Sequence, residues 1–200
     1  MDVEELLSRY GPSYAEEAGI KLTDKPGPLY QLLVLTTLLS GRIKADIAVR
    51  TARCLFDAGW KTPAKLRDST WQQRVDVLGR GGYKRYDEST ARYLADGAEL
   101  LHERYKDDLR KLAAEADQDP GKVRGLLEEF PKIGPTGAEI FCREAQAVWP
   151  FLRPSFDKKA LDAAKKAGLP TDPAKLAARV KPDQAAVLAA ALVRYGLDTK

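Results

Sequence analysis

Apolar residues recur along this chain at helical spacing, and no stretch alternates apolar and polar positions as a half-buried strand would. The segment "PLYQLLVLTTLLSG" is apolar on nearly all sides, which predicts a central buried helix. Further helical segments follow one another from "DVEELLSRYG" near the start to "DQAAVLAAALVRYG" near the end. The pattern predicts an all-α protein of about ten or eleven helices.

Residues that start and stop helices divide this pattern. Thr62 and Thr70 are suited to cap helix N-termini, and Asp119 precedes Pro120 at a first helical position. Gly59 is expected to end the helix formed by "KADIAVRTARCLFDAG". No internal repeat of roughly 34 to 47 residues recurs, which counts against a helical solenoid. A chain of 200 residues predicts one domain, or two small lobes that share a core.

The composition is typical of a soluble globular protein, with 44% hydrophobic and 31% charged residues. No apolar run approaches the ~20 residues that span a bilayer. The acidic start "MDVEELLSRYGPSYAEEAGI" lacks the basic region and cleavage site of a signal peptide. We therefore expect a cytoplasmic monomer without a membrane partner. A net charge of +4 and a pI near 9.0 permit nucleic-acid binding without demanding it.

Cys54 and Cys142 both fall in apolar helical segments, which predicts buried free thiols. The chain has no CxxC spacing, and its one histidine, His102, is distant in sequence from both cysteines. This set cannot build a zinc site or an iron–sulfur cluster. We expect no iron–sulfur cluster in this protein.

The stretch "LLEEFPKIGPTGAEIF", residues 126–141, joins two apolar helical runs through a turn nearly bare of side chains. Gly134 and Gly137 flank Pro135 and Thr136. A helix–turn–helix corner that needs positive φ at glycine explains this spacing without a ligand. A bare turn directly before a helix also exposes amide N–H groups, to which the helix dipole adds positive potential. Such a turn favours an anion, and for a basic chain a phosphodiester is a natural occupant.

Together with "AVWP" and "SFDKKAL", this stretch resembles the helix-hairpin-helix glycosylase superfamily that includes endonuclease III. Upstream, "LLVLTTLLSGRIKADIAVRTARCLF" resembles the early buried helix, loop and second helix of that family, and "GGYKRY" stands where the family has a G-L-Y turn. The resemblance implies a two-lobed all-α fold over residues 1–200 as a single unit. It puts lobe one at about 29–125, lobe two at about 1–28 plus 126–200, and the helix-hairpin-helix motif at about 120–147.

In that family, double-stranded DNA lies across the cleft between the lobes, and the target nucleotide swings out of the duplex into a pocket. The resemblance implies that the hairpin residues hold a backbone phosphate; here these are Lys132, Ile133, Gly134, Thr136 and Gly137. It also implies a monovalent cation, K⁺ or Na⁺, at the backbone of Ile133 and Gly134. No other cofactor is expected.

In the same family an aspartate about twenty residues after the hairpin assists glycosidic cleavage, and the matching residue here is Asp157. A carboxylate there stabilises an oxocarbenium-like state and orients an attacking water. Asp157 is also suited to cap the helix formed by "KKALDAAKKAG", and both roles can hold at once. Bifunctional members carry a lysine where Thr136 stands, and threonine cannot form an imine. The pattern is therefore most similar to the monofunctional thymine and uracil mismatch glycosylases.

Two hairpin positions depart from the family pattern. Lys132 replaces the first hairpin glycine, so it must tolerate an unusual backbone conformation or a changed turn. Pro135 removes one N–H that might have faced the phosphate. We expect weaker binding by the hairpin backbone, compensated in part by the ammonium group of Lys132.

Three further residues match family positions near the target base. Arg42 lies in "LSGRIK", which matches the loop where relatives carry a residue that plugs the gap left by the extruded base. The alternative is a single exposed arginine that is simply solvated. Glu128 matches an acidic residue that faces the pocket, with an ordinary surface glutamate as the alternative. Tyr83, in "GGYKRY", is suited to line the pocket mouth or to grip a phosphate, with a core-edge tyrosine as the equal alternative.

The leading hypothesis is a monofunctional DNA glycosylase of base excision repair, which hydrolyses the N-glycosidic bond of a damaged or mismatched base with assistance from Asp157. The alternative is a non-catalytic DNA-binding module of the same fold that recognises damaged or distorted duplex. The missing lysine and altered hairpin favour the alternative, whereas the acidic residue at 157 argues against it. A protein–protein adaptor would explain the helices but neither the hairpin nor the aspartate.

Overall fold

The computed structural model describes residues 1–199, and within this range the chain is helical without a β-strand, as the sequence pattern predicts. In chain order the α-helices are α1 (Val3–Tyr10), α2 (Tyr14–Glu17), α3 (Pro26–Leu39), α4 (Ala45–Asp57), α5 (Pro63–Arg67), α6 (Trp71–Gly81), α7 (Asp87–Tyr105), α8 (Leu109–Glu115), α9 (Pro120–Leu127), α10 (Pro135–Ala145), α11 (Lys158–Lys166), α12 (Pro173–Ala177) and α13 (Ala185–Asp198). Two short 3-10 turns lie at Pro150–Leu152 and Pro182–Gln184.

Helix α3 is the centre of the fold. Most of its residues between Leu29 and Leu38 are buried, because a helix that is apolar on all sides needs neighbours on all sides. It packs against α4, α7, α8 and α10. The prediction of a central buried helix is confirmed.

The remaining helices pack in two groups. Helices α4, α5, α6 and α7 pack on one another beside α3, and α1, α10 and α11 pack around α13. Helix α10 contacts both α3 and α13 and so joins the groups, and one continuous cluster of buried apolar side chains runs through them. The lobe boundaries, about 29–125 and about 1–28 plus 126–200, stay a prediction.

Local signals set several helix ends where the sequence predicts them. The hydroxyl groups of Thr62 and Thr70 accept backbone N–H groups at the starts of α5 and α6. Asp119 caps α9, with Pro120 in the first helical position. Gly59 follows α4 with φ of 93°, a left-handed conformation suited to glycine.

Residues 1–199 form thirteen α-helices, more than the ten or eleven expected, and two helices differ in detail from the sequence pattern. Helix α2 spans only Tyr14–Glu17, too short to show a helical period, and is held by a capping box between Ser13 and Glu16. The apolar run before the hairpin reaches Phe130, whereas helix α9 ends at Leu127. Its end tightens into a turn, in which the amide of Phe130 donates to the carbonyl of Leu127 at 3.1 Å.

Both cysteines are free thiols. Cys142 is buried on α10, and burial raises the pKa of its thiol to about 11. Cys54 is only partly buried on α4, so the prediction of two buried thiols holds in full for Cys142 alone. In residues 1–199, no helix has both the length and the apolar character to cross a lipid bilayer.

Candidate nucleic-acid interface

The turn between α9 and α10 presents backbone rather than side chains. Gly134 is the N-cap residue of α10 and provides no side-chain cap. Pro135 occupies the first helical position, where its missing N–H costs the helix nothing. Within residues 1–199, the amides of Gly134, Thr136 and Gly137 donate to no backbone acceptor. The start of α10 therefore carries free donors and the positive end of a helix dipole, which together favour an anion.

Nothing inside the protein requires glycine at position 134. Gly134 has φ of −96° and ψ of −165°, an extended conformation open to any residue. A β-carbon at this position would meet no atom within 4 Å. The space in front of Gly134 is open, so a ligand can approach the backbone there.

Gly137, in contrast, is required by packing. It is buried, and a β-carbon there would lie 2.5 Å from Oγ of Ser40 and 3.2 Å from Cγ2 of Ile133. Glycine at this position lets α10 approach the C-terminal end of α3 closely. The expectation of positive φ at the hairpin glycines is wrong, since neither Gly134 nor Gly137 adopts it.

The left-handed residue of the hairpin is Lys132, with φ of 70°. This confirms the expected unusual backbone conformation at the position where the family has glycine. The Lys132 side chain is exposed. The next amide, that of Ile133, donates to the carbonyl of Phe130 at 3.1 Å and closes the turn. The hairpin thus keeps a glycine-like backbone shape while adding a cationic side chain.

Arg42 is exposed in the loop of residues 40–44, between α3 and α4. This loop begins at Ser40, which lies against Gly137 of α10. The Arg42 loop and the hairpin are therefore neighbours at one end of α3. The structure brings these two sequence-predicted elements together.

Tyr83 supports the Arg42 loop from inside the protein. Its side chain is 1% exposed, and its hydroxyl donates to the carbonyl of Leu38 at 3.0 Å and lies against Gly41. Burial raises the pKa of Tyr83 to about 12, so the hydroxyl stays a donor at neutral pH. Tyr83 is thus a core tyrosine and does not line the mouth of a pocket.

Glu128 is exposed at the C-terminal end of α9, as an ordinary surface glutamate would be. A cavity beside the hairpin is lined in part by Phe130, Pro131 and Tyr93, and Glu128 is not among its lining residues. This cavity has a volume of about 10 Å³, no more than a single water needs. A nucleobase would enter here only after the helices separate.

Asp157 lies at the N-terminus of α11 with 8% of its surface exposed. Its Oδ1 accepts the backbone N–H of Ala160 at 2.9 Å, so the predicted capping role is confirmed. Its Oδ2 accepts a hydrogen bond from Nη1 of Arg143 at 2.5 Å. Both carboxylate oxygens are thus bound inside the protein.

Arg143 is the residue that sequence reasoning missed. It is 3% exposed on α10, with its Nε 3.6 Å from Oε1 of Glu144 and its guanidinium 5.1 Å from the centre of the Tyr14 ring. Burial opposes its charge, but the carboxylates of Glu144 and Asp157 outweigh this and raise the pKa of Arg143. Burial raises the pKa of Glu144. The available signal was an adjacent pair of opposite charges directly after the apolar run Ile140, Phe141 and Cys142.

Helix α10 links the two parts of the candidate site. Thr136 lies at its start and Arg143 near its end, about 10 Å apart along the helix axis at 1.5 Å per residue. Asp157 is therefore anchored through Arg143 to the helix that the hairpin begins. Its carboxylate is directed into the protein and not outward to solvent.

The donor sets available for metals are limited. In the part of the chain that the structure describes, residues 1–199, no group of three or more His, Cys, Asp or Glu side chains is placed to hold a metal ion. An iron–sulfur cluster held by four cysteines does not fit a chain that has two. At the hairpin, the Gly134 carbonyl accepts the amide of Ala138 at 2.9 Å. A monovalent cation at the backbone of Ile133 and Gly134 stays a prediction.

No known family model matches this chain, and no curated protein matches it either. Among solved structures, the fold is similar to that of a trapped covalent intermediate of endonuclease III with DNA, an estranged-adenine complex. The TM-score is 0.52, the sequences are 13% identical, and the match covers 96% of this chain and 81% of the other. At this identity the likeness is one of fold. The predicted endonuclease III-like, all-α fold is confirmed.

Proposed function

We propose that the protein binds double-stranded DNA through the hairpin and acts as a monofunctional DNA glycosylase of base excision repair on a damaged or mismatched base. The observation that supports this most is the open start of α10, with free amides beside Gly134 and Lys132, in a fold similar to that of endonuclease III. The proposed enzyme works as a monomer in the cytoplasm.

The hairpin is proposed to hold one backbone phosphate. The amides of Gly134 and Thr136 supply donors, the dipole of α10 adds positive potential, and the exposed ammonium of Lys132 supplies a full charge. Hydrogen bonds to a charged group contribute about 1.5–3 kcal/mol each. Arg42, exposed on the adjacent loop, is proposed to enter the duplex and fill the gap left by an extruded nucleotide.

The proposed reaction is hydrolysis with water as the nucleophile. The bond between C1′ and the base nitrogen breaks, the base leaves with the electron pair, and positive charge develops on the sugar. The Asp157 carboxylate stabilises this charge and takes a proton from the water that adds to C1′. Thr136 cannot form a Schiff base, so the product is an intact strand with an abasic site.

Access to Asp157 is the structural requirement of this reaction. The carboxylate is buried and bound by Arg143 and the α11 amide. A nucleoside would therefore have to displace Arg143 from Oδ2, or to approach while the ion pair persists. The positive charge of the Arg143 guanidinium offsets part of the negative charge of the carboxylate.

The test is a panel of duplexes with single lesions, incubated with the protein and then cleaved with alkali at abasic sites. We expect strand breaks only after alkali, no complex trapped by borohydride, and loss of excision in Asp157→Asn with retained DNA binding. Asparagine keeps one acceptor oxygen, which can still cap α11, and Glu144 remains beside Arg143. Urea unfolding verifies that the variant folds. Undiminished excision by that variant would contradict the role of Asp157.

A second candidate is a non-catalytic module that recognises damaged or distorted duplex. It is favoured by the finding that both oxygens of Asp157 are already engaged by Ala160 and Arg143. This candidate predicts tighter binding to mismatched or damaged duplex than to matched duplex, with no excision across the same panel. Excision of any base from the panel would rule it out.

A further inference from the structure

The positive charge of this protein is concentrated in one short segment. Residues 158–181, called here the basic segment, contain six lysines and one arginine against two aspartates, a net charge of +5. The whole chain has a net charge of +4, so the remaining residues together sum to −1. The basic pI is thus a property of the region that starts directly after Asp157, at α11.

The charges of the basic segment are directed outward. Its seven basic side chains are all exposed. On α11 they lie within an arc of about 120° at 100° per residue, while Ala160, Ala163 and Ala164 on the other side are buried against α13. The structure describes the segment in full, and one ion pair forms within it, between Lys158 and Asp162 at 2.7 Å. The other six basic side chains form no ion pair within the segment.

We propose that the basic segment is a second DNA-backbone surface, which contacts phosphates of the duplex on the Asp157 side of the hairpin. This inference rests on the proposed function. Helix α11 begins at Asp157, which is bound to α10, the helix that the hairpin begins. From there the segment continues for about 13 Å along α11 at 1.5 Å per residue and then into α12. In the proposed arrangement, a duplex held at the hairpin extends along this surface, and its phosphates meet the exposed cations.

A membrane surface fits these observations less well. A helix that binds an anionic bilayer inserts an apolar face beside its basic one. The apolar face of α11 is covered by α13. The two large hydrophobic side chains exposed in residues 1–199, Trp71 and Leu197, both lie outside the basic segment. Charge without a free apolar face favours a polyphosphate backbone.

The experiment compares two variants with the same change in charge. The test variant carries Lys159→Gln, Lys165→Gln and Lys166→Gln, and the control carries three substitutions outside the segment at exposed lysines: Lys61→Gln, Lys65→Gln and Lys111→Gln. Affinity for a labelled duplex is measured over a series of salt concentrations, and urea unfolding verifies that both variants fold. We expect the slope of log K against log salt to fall by roughly 0.9 for each phosphate that is no longer neutralised, by about 1 to 3 in total, in the test variant only.

The outcomes separate this inference from the proposed function. If wild type binds duplex and both variants show the same salt slope, the basic segment is not a DNA surface and the hairpin proposal stands. If the test variant loses affinity while substitutions in the hairpin have no effect, the inference stands and the hairpin proposal fails. Binding of wild type, but not of the test variant, to vesicles containing phosphatidylserine, with unchanged affinity for duplex, would overturn the inference in favour of a membrane surface.

Discussion

Helices α10 and α11 both begin with amide groups that need acceptors, and the two helices meet this need in opposite ways. At α11 the side chain of Asp157 accepts an amide, and its second oxygen binds Arg143 in the interior. At α10 Gly134 offers no side chain, its amide and that of Thr136 donate to no backbone acceptor, and the space in front of Gly134 is open. The residue that caps α11 thus also links this helix to α10. A helix start left bare can take an acceptor from outside.

This difference divides the functional hypothesis into two parts that rest on different observations. Phosphate binding at the hairpin is supported by free amides, an open approach and a cationic neighbour. Catalysis by Asp157 is supported by its match to the family position, whereas its contacts in the structure are those of a structural residue. Variants at the two helix starts should therefore behave differently.

The largest effect is expected at the buried ion pair. Arg143→Met leaves the carboxylates of Asp157 and Glu144 buried without their cation, so we expect the free energy of unfolding to fall by about 3–5 kcal/mol. The measurement is urea unfolding at neutral pH. Arg92→Met, at an exposed position on α7, is the control and should stay within about 0.5 kcal/mol of wild type. A decrease of less than about 1 kcal/mol in Arg143→Met would show that the ion pair of Arg143 and Asp157 does not stabilise the fold.

The second prediction contrasts the two hairpin glycines. Gly134→Asp should cap α10 and raise the free energy of unfolding by a few tenths of a kcal/mol. The same carboxylate occupies the proposed phosphate site, so affinity for duplex should fall roughly tenfold to a hundredfold, the value of one charged hydrogen bond.

Gly137→Ala is the matched change on the packed side. The new methyl group would collide with Ser40, so we expect a decrease of about 1–3 kcal/mol in unfolding free energy. A folded Gly134→Asp variant that binds DNA as tightly as wild type would remove the hairpin from the binding surface.

The third prediction separates backbone strain from charge at Lys132. Lys132→Gly relieves the left-handed conformation and should stabilise the fold by up to about 1 kcal/mol. Lys132→Gln keeps the strain and should leave stability unchanged. Both variants remove the ammonium group, so both should lower the salt slope of duplex binding by about 0.9. A salt slope equal to that of wild type in both variants would show that the charge of Lys132 does not meet a phosphate.

The fourth prediction concerns the support of the Arg42 loop. Burial raises the pKa of Tyr83 to about 12, above its ordinary value near 10, so its contribution to stability is complete below pH ~10 and is lost as the pH rises through ~12. At pH 7, Tyr83→Phe should cost about 1 kcal/mol because the hydrogen bond to the Leu38 carbonyl is removed. Between pH 7 and pH ~11 wild type should lose about 1.4 kcal/mol of unfolding free energy that the variant does not lose. The stability difference between the two proteins should therefore close. Parallel pH profiles of unfolding free energy would contradict this account.

The fold was largely predictable because its signals are local. An apolar segment without a polar side predicts the central helix α3, and threonine, aspartate and proline mark helix starts. The left-handed turn at Lys132 was predictable only from the family position, since lysine itself carries no such preference. The short helix α2 and the early end of α9 depend on a capping box and a tightened turn, which leave no periodic pattern.

The candidate site was predictable only in part. The hairpin and the Arg42 loop are each visible as sequence segments, but their contact through Ser40 and Gly137 depends on how α10 packs on α3. The buried pair of Arg143 and Asp157 joins residues 14 positions apart on different helices. No local rule pairs a charge with a partner that tertiary packing supplies, so this contact could be found only in three dimensions.

The close approach of Gly137 to Ser40 has a consequence for how the protein would inspect DNA. The Ser40 side chain at the start of the Arg42 loop packs directly on the backbone of Gly137, so we expect the loop and the hairpin to shift together. In the proposed binding mode, the phosphate that the hairpin holds thereby selects the base pair that Arg42 reaches. The protein would then examine a duplex in steps of one base pair, one for each phosphate that the hairpin binds.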